Sequence, residues 1–352
     1  MRRKRDGIDK EKKRDNIFTI ILSICDVIAV IVLFLLYGPY NNFRDWLVTT
    51  AMSTMRHQYI ARTFYNDETI NKVLERHSMI EPDGNTDTSL ILEEDNNYKD
   101  KYDKEILDRN KNDIYKLIEI EENGYRGYLV AIYDPSKIKV TYSRYLGSDG
   151  EYLVDMAKRE NAVVAINGGG FLDAGGLGSG GQPMGAIISG GKIISNYGTS
   201  QYGGGIVGFT NDNKLYLGKI SANEAINMGI RDAVEFGPFL IVNGQKSFTK
   251  GNGGWGYAAR TAIGQRKDGI VLMLVVDSNA TRTKGASMKD LVDIMDRYGA
   301  VNAANLDGGT SSVMVEKHGT GKDATFDMLN DPIDSALRHR TRGIPTIFKV
   351  VE

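Results

Sequence analysis

One continuous apolar segment, residues 17–37, constrains this chain more than any other feature, because only Thr19, Ser23 and Asp26 interrupt it. A helix of about 20 mostly apolar residues is long enough to cross a bilayer. Eight lysines and arginines precede the segment within residues 1–16, and such a basic tail stays on the cytoplasmic side of a membrane. The pattern predicts a single-pass cell-membrane protein with a cytoplasmic tail (1–16), a transmembrane anchor (17–37) and an extracytoplasmic remainder.

A cleaved signal peptide is the alternative interpretation of this segment. Its apolar core is longer than a typical signal-peptide core, and no Ala-x-Ala cleavage site follows it, so we favour an uncleaved anchor in the lipid bilayer. Tyr37, Tyr40 and Trp46 follow where aromatic side chains favour the membrane–water interface. The single cysteine, Cys25, lies inside the segment, which excludes an internal disulfide.

Residues 38–113 are predicted to form an extracytoplasmic stalk. Residues 81–113 contain proline, glycine and many charged residues but few large apolar ones, a composition typical of an exposed linker. We interpret His57 and His77 in this stretch as surface residues. The net charge of the chain is -1, which argues against nucleic acid as a partner, because a nucleic-acid binder needs a basic face.

Residues 114–352 are predicted to form the folded domain. Short apolar runs bounded by turn residues predict strands, over residues 127–133, 137–142, 162–166, 186–194, 205–218, 239–245, 270–276 and 343–351. Apolar positions at helical spacing, each after a serine that can cap a helix, predict helices over 148–159, 221–228 and 287–298. Strands outnumber helices without regular alternation. The expected fold class is therefore α+β, a mixed and mostly antiparallel sheet with a few packed helices, preceded by one transmembrane helix.

The polar turn Asp307-Gly308-Gly309-Thr310-Ser311-Ser312 lies between two apolar runs in residues 301–315. Paired glycines allow the backbone to approach a ligand closely, and the N–H groups of such a turn can hold an anion. The alternative is an ordinary hairpin turn, because Asp-Gly is a common turn dipeptide.

Three further places contain residues suited to chemistry. Asn167, which offers both a donor and an acceptor, precedes Gly168, Gly169 and Gly170 after a predicted buried strand; a flexible glycine loop is the alternative. Arg260, followed by Thr261, enters an apolar strand and needs an anionic partner, either a phosphate or a structural carboxylate. Asp277 ends the apolar strand 270–276, where it either faces a site or begins a turn.

Three of these motifs together resemble the phosphodiester glycosidase family: Asn-Gly-Gly-Gly-Phe (167–171), Arg-Thr-Ala-Ile-Gly (260–264) and Asn-Leu-Asp-Gly-Gly-Thr-Ser-Ser (305–312). The resemblance covers about residues 128–350. It departs from the family pattern at Thr310, where a third glycine is usual, and at Gly170, where an aromatic residue is often found. The resemblance implies a hydrolase that cleaves a sugar-1-phosphodiester bond, with a phosphorylated glycan as its partner. Membrane-anchored members of the family further suggest a role in envelope-glycan or exopolysaccharide metabolism.

That reaction needs charge stabilisation on the phosphate and one or two carboxylates near the anomeric carbon. We expect Arg260 to clamp the phosphate, and Asp307 to act as nucleophile or general base, with Asp277 as the second carboxylate. Residues predicted to bind substrate or phosphate are the members of the three motifs, namely Asn167, Gly168, Gly169, Gly170, Arg260, Thr261, Gly308, Gly309, Thr310, Ser311 and Ser312. No cofactor is required. No acidic or histidine cluster has metal-ligand spacing, and calcium held by aspartates and carbonyls stays open.

The alternative function belongs to another class, a non-catalytic glycan-binding or assembly module of the cell envelope with the same fold. Trp255 and Tyr257, in the glycine-rich stretch 250–257, could form an aromatic platform for a glycan, or the stretch could be a lid over an active site. The joint presence of Asn167, Arg260 and Asp307 favours the enzyme.

Overall fold

The structure is a computed structural model, and it describes residues 2–54, 57–92, 99–122, 124–173, 178–198, 204–278, 283–335, 338–339 and 341–352. Within this part of the chain there are eight α-helices, namely α1 (Arg2–Tyr37), α2 (Asn41–Met52), α3 (Gln58–Phe64), α4 (Asp67–Arg76), α5 (Lys101–Leu107), α6 (Leu153–Arg159), α7 (Ala222–Asn227) and α8 (Met288–Arg297).

The strands form three larger sheets and two small ones. The central sheet has seven strands in the order β12 (Gln245–Lys246), β11 (Phe239–Val242), β16 (Ala300–Leu306), β14 (Arg260–Arg266), β15 (Val271–Val276), β3 (Tyr125–Ile132) and β2 (Tyr115–Glu122).

Two five-stranded sheets pack with the central one. The first has the order β7 (Lys192–Tyr197), β6 (Gly185–Ser189), β10 (Ile230–Phe236), β8 (Gly205–Thr210) and β9 (Leu215–Gly218). The second has the order β18 (Thr325–Met328), β17 (Met314–His318), β5 (Val164–Asn167), β21 (Thr346–Val350) and β4 (Ile138–Tyr142). The small sheets pair β1 (Met79–Ile80) with β13 (Phe248–Thr249), and β19 (Ile333–Ser335) with β20 (Arg338–His339).

Adjacent strands in these sheets run antiparallel wherever their pairing is described, which confirms the predicted α+β class. The central strand β15 shows why its sequence is apolar without alternation. Val271, Met273 and Val275 pack into the core between the sheets, whereas the alternate residues Leu272 and Leu274 pack into a second core under α8. Because successive side chains of a strand point to opposite faces, a strand buried on both faces needs apolar residues throughout.

Two of the three predicted serine helix caps are present in the structure. Ser287 caps α8, and Ser221 caps α7, each by a reciprocal capping box as predicted. The predicted start of a helix at Ser148 was wrong, because α6 begins at Leu153 after Tyr152. The Ser148 hydroxyl instead donates to the Tyr145 carbonyl within a loop.

The N-terminal part of the structure contains α1, whose residues Asn16–Tyr37 are the one described helical segment long and apolar enough to cross a membrane. Its last turn does not lead into an extended stalk. Leu36 is buried in a small core with Val48, Ala61 and Val73 of α2, α3 and α4. We refer to these three helices as the helical unit.

Described residues within the predicted stalk, 38–113, contact the folded domain. Polar groups of this segment find partners there. The Thr86 N–H donates to the Leu217 carbonyl at 2.9 Å, and Thr86 Oγ1 accepts from the Leu217 N–H at 3.0 Å. Asp103 forms an ion pair with buried Arg266 at 2.9 Å. A polar sequence can therefore be ordered where its groups satisfy buried partners of another segment.

We expect Thr86→Val to lower the free energy of unfolding by about 1–3 kcal/mol, because it leaves the buried N–H of Leu217 without its side-chain acceptor. Urea denaturation of the full chain in detergent measures this. Thr325→Val, at an exposed position, is the matched control and should change stability by less than about 0.5 kcal/mol. Equal effects of the two substitutions would show that residues 81–92 are not part of the cooperative unit.

Candidate active site

The candidate site lies where three inner strands of the central sheet begin or end. Strand β14 runs antiparallel between β15 and β16, with Arg260 opposite Val276 and Thr261 opposite Leu306. The start of β14 therefore lies next to the ends of β15 and β16. Asp277 follows the end of β15, and Asp307 follows the end of β16. Because neighbouring strands are about 4.8 Å apart, the backbone of one aspartate lies close to the start of β14 on each side.

Asn167, at the end of β5, joins the three motifs. Its buried side chain accepts from the Thr261 hydroxyl at 2.7 Å and from the Val313 N–H at 3.2 Å, and it donates to the Asp307 carbonyl at 2.6 Å. The Asp307 N–H donates to the Gly168 carbonyl at 3.1 Å. These contacts place Asn167 in the protein framework and make it a positioning group for the turn after β16.

Asp307 is the half-buried carboxylate of this turn. Burial raises the pKa of Asp307 to about 6, a change that the Ser311 hydroxyl, the charge of Arg342 and the Gly308 N–H oppose and that the charge of Asp173 reinforces. The Gly308 N–H donates to Asp307 Oδ1 at 3.0 Å. A carboxyl group with this pKa exchanges its proton near neutral pH, which suits a general acid or base.

Arg260 is buried and lies next to the same turn. Its guanidinium donates to three backbone carbonyls, those of Ala286 at 3.2 Å, Trp255 at 2.5 Å and Gly256 at 3.1 Å. No carboxylate of the described chain forms an ion pair with it. Burial lowers the pKa of Arg260 to about 10, partly opposed by the charge of Asp290.

A buried cation without a counter-ion favours an anionic ligand, since burying an unpaired charge is costly. Gly308 is the residue of the Asp307 turn that lies next to Arg260, since a Cβ at Gly308 would be 3.7 Å from Arg260 Nη1. The turn backbone therefore approaches the guanidinium directly.

The remaining motif residues divide into two groups. Gly168, Gly169 and Gly170 pack against protein neighbours: a Cβ at Gly168 would be 2.6 Å from Thr346 Oγ1, and one at Gly170 would be 2.7 Å from the Phe236 ring. In the turn, Gly308, Gly309 and Thr310 are half-exposed, whereas Ser311 and Ser312 are buried. Among these glycines and hydroxyl residues, Gly308, Gly309 and Thr310 are thus the ones that reach the surface.

Asp277 is buried at the end of β15, which flanks β14 on the side opposite to β16. Burial raises the pKa of Asp277, and the Asp331 N–H and the Asn330 amide oppose that change. Asn330 donates both to Asp277 Oδ1 at 3.2 Å and to the Ser312 carbonyl at 2.9 Å, so it joins this carboxylate to the turn of Asp307. Asp277 also lines a cleft of about 620 Å³ together with Arg126 and Tyr128.

Sequence reasoning did not find Arg342, Asp173 or Asn330. Arg342 pairs with Asp173 at 2.9 Å, lies over the Phe171 ring at 4.5 Å, and its charge acts on Asp307. None of the three belongs to a recognisable motif. The available sequence signal was the position of Asp173, two residues after Phe171 at the end of the first motif. His318 is exposed at the end of β17, outside this group.

The structure identifies no group of three or more histidine, cysteine or acidic side chains placed to hold a metal ion within the residues it describes.

We expect Asp307→Asn to raise the free energy of unfolding by about 1–2 kcal/mol at pH 7.5, because it removes a charge that folding partly buries. Water screens part of this cost, since the side chain is only partly buried. A carboxyl group whose pKa is raised from 3.8 to about 6 by folding stabilises the fold below pH 4 and loses that contribution as pH rises through 6. The gain should therefore disappear at pH 4. Urea denaturation at both pH values measures it, with Asp323→Asn, at an exposed position, as the control. A loss of stability at pH 7.5 would contradict the raised pKa.

The chain is similar to several known proteins. A family model described as phosphodiester glycosidase matches residues 160–351. The chain is 32% identical over 189 residues to the SPbeta prophage-derived uncharacterized protein YomE of Bacillus subtilis (strain 168), covering 51% of this chain and 28% of that one. It is 27% identical over 179 residues to the N-acetylglucosamine-1-phosphodiester alpha-N-acetylglucosaminidase of Bos taurus, covering 46% of this chain and 32% of that one. The chain thus spans about a third of the length of these relatives or less.

Among solved structures, the catalytic domain of zebrafish N-acetylglucosamine-1-phosphodiester alpha-N-acetylglucosaminidase, auto-inhibited by its pro-peptide, has the same fold. The TM-score is 0.53 at 21% identity, with 69% of this chain and 85% of that chain covered. The family model covers more than half of the residues, including all three motifs. The chain therefore belongs to the phosphodiester glycosidase family.

Proposed function

We propose that this protein is a hydrolase that cleaves the bond between a sugar's anomeric carbon and a phosphodiester. The observation that carries the proposal is the approach of the Asp307 turn to a buried guanidinium: a Cβ at Gly308 would be 3.7 Å from Arg260 Nη1. Arg260 is buried and has no carboxylate ion-pair partner in the described structure, and burial raises the pKa of Asp307 to about 6. An anionic substrate would supply the missing negative charge and place its reacting bond beside the carboxylate.

Arg260 binds the phosphate in this proposal, because its buried fork is held in place by three carbonyls and faces Gly308. The partly exposed Thr310 supplies its backbone N–H for a further phosphate oxygen. The Gly309 N–H instead donates to the Ala259 carbonyl at 2.8 Å and so fixes the turn next to the start of β14. A phosphate group leaves readily, so the protein needs mainly to hold and neutralise it while the bond breaks.

Asp307 is the nucleophile or general base at the anomeric carbon, and Asp277 is the second carboxylate. In the overall reaction, water adds its oxygen to the anomeric carbon, and the phosphate leaves as a monoester that takes up the proton. Asn167 contributes by holding the backbone of Asp307, and Asn330 by holding both Asp277 and the Ser312 carbonyl.

The apolar segment Asn16–Tyr37 supports the further proposal that the protein is anchored in the cell membrane with its catalytic domain outside, where it acts on envelope glycan or exopolysaccharide. The relative from Bos taurus, named for N-acetylglucosamine-1-phosphodiester, supplies the first substrate class to assay. The alternative function, a non-catalytic glycan-binding module, predicts binding of that substrate without release of sugar.

We expect Asp307→Asn to reduce kcat on a methyl N-acetylglucosamine-1-phosphodiester by on the order of 10²–10⁴-fold, because the general base or nucleophile is removed. In the unaltered protein, kcat should fall as pH drops below about 6, since only the ionised Asp307 is reactive. Release of N-acetylglucosamine measures both, and Asp323→Asn is the control. Full activity of Asp307→Asn would reject the assignment, and binding without any release by the unaltered protein would favour the glycan-binding alternative.

We expect Arg260→Lys to raise KM by about 10-fold or more, because an ammonium cannot replace a planar fork that serves several oxygens at once. Steady-state kinetics and urea denaturation together separate lost phosphate binding from lost stability. Arg109→Lys, at an exposed position, is the matched control. An unchanged KM in a stably folded Arg260→Lys variant would remove Arg260 from the phosphate site.

A further inference from the structure

The glycine-rich stretch 250–257, which we refer to as the glycine loop, packs directly against the helical unit. Gly251, Gly254 and Gly256 all have positive φ, and a Cβ at these positions would be 2.1 Å from His77 Nδ1, 2.4 Å from the His77 carbonyl and 2.7 Å from Thr50 Cα. The three glycines are thus required where the loop meets α2 and the end of α4.

Hydrogen bonds hold the loop to the same helices. Asn252 Nδ2 donates to Thr49 Oγ1 at 2.9 Å between two buried residues, and the Asn252 N–H donates to His77 Nδ1 at 3.2 Å. The Lys250 N–H donates to the Ser78 carbonyl at 2.7 Å. His77 itself contacts Asp45 of α2 through Nε2 at 3.0 Å, so it is not a free surface residue.

The opposite side of the glycine loop is hydrogen-bonded to Arg260 of the candidate site. Arg260 donates to the carbonyls of Trp255 and Gly256, and its Nη1 approaches Gly308. The loop is therefore a single layer of backbone between the helical unit and the proposed phosphate site.

The helical unit is also joined to the last turn of α1. Leu36 is buried among residues of α2, α3 and α4, and the Tyr65 hydroxyl donates to the Leu36 carbonyl at 2.9 Å. Tyr40 packs edge-on against Phe34 of α1 at 5.4 Å. Tyr40 and Trp46 are largely exposed, as suits aromatic residues at a membrane–water interface.

Direct contacts therefore run from α1 through the helical unit and the glycine loop to Arg260. Thr50, which touches Gly256, lies nine residues after the first residue of α2, or at most about 14 Å along the helix at 1.5 Å per residue. The candidate site is then within roughly 20–25 Å of the outer end of α1. A flexible linker in place of these helices would leave the distance of the site from the membrane undefined.

We propose that the helical unit is a rigid spacer that holds the active site at a fixed, short distance from the membrane surface. The substrates of the protein are then sugar-1-phosphodiesters of glycans that are themselves attached to the membrane. This inference depends on the proposed function and on the proposed anchor. Fixed height raises the effective concentration of the site at the membrane plane, which favours a phosphodiester confined there over one free in solution.

Energy transfer tests the height without reference to activity. The chain has two tryptophans, so Trp46→Phe leaves Trp255 of the glycine loop as the single donor to dansyl-labelled lipid headgroups in phosphatidylethanolamine–phosphatidylglycerol vesicles. We expect efficient transfer, and at least a twofold loss when about 20 Gly/Ser residues, spanning about 25 Å, are inserted between Gly38 and Pro39. Equal transfer with and without the insert, or no transfer in either, would overturn the fixed height.

The same two proteins, with Trp46 restored, test the substrate class. Methyl N-acetylglucosamine-1-phosphodiester in solution and its hexadecyl analogue in the vesicle are the two probes. We expect the insert to lower hydrolysis of the hexadecyl probe at least threefold and to leave hydrolysis of the methyl probe unchanged. Equal hexadecyl rates in both proteins would reject the membrane-held substrate. Inactivity of both proteins on both probes would reject the proposed function, whereas the transfer result would stand.

Discussion

The buried amide of Asn167 is the contact on which the candidate site depends. It joins segments 94, 140 and 146 residues away, through Thr261, Asp307 and Val313. Asparagine suits this position because one side chain supplies an acceptor and a donor together. Loss of either would leave buried polar groups without partners, which costs more than the hydrogen bond itself contributes. The first motif therefore acts through the third, by holding the backbone that carries Asp307.

Around this framework the structure retains a group that stability alone does not explain. Arg260 is a buried cation whose described partners are carbonyls, and its lowered pKa reflects the loss of water. A buried charge without a counter-ion destabilises a fold, so its presence next to the Asp307 turn fits a site made for an anion. The same side chain holds the glycine loop, which in turn contacts the helical unit. Arg260 thus contributes both to the proposed phosphate site and to the contact between that site and the helices that follow α1.

The sequence predicted local features well where the physical signal was local. The apolar run of β15, the capping boxes of α7 and α8 and the polar turn after β16 all lie where their patterns indicated. The same serine rule was wrong at Ser148, whose loop is fixed by long-range contacts, including the pairing of Glu151 with Ile344. Composition also misrepresented residues 81–92, since polar side chains such as Thr86 are ordered by partners far away in the chain.

By itself the sequence determined the apolar segment, the strand-rich α+β class and three motifs whose residue types suit phosphate and sugar chemistry, because periodicity, composition and short motifs are properties of neighbouring residues. Only the tertiary structure decided that the strand beginning with Arg260 lies between the strands that lead to Asp277 and Asp307, that Asn167 bonds to the protein, and that Arg342 and Asn330 act on the two aspartates. It also decided that the helical unit packs on the glycine loop. These relations depend on strand order and burial, because both bring together residues that are far apart in the sequence. The hydrogen-bond partners and pKa values that result cannot be read from a pattern of neighbouring residues.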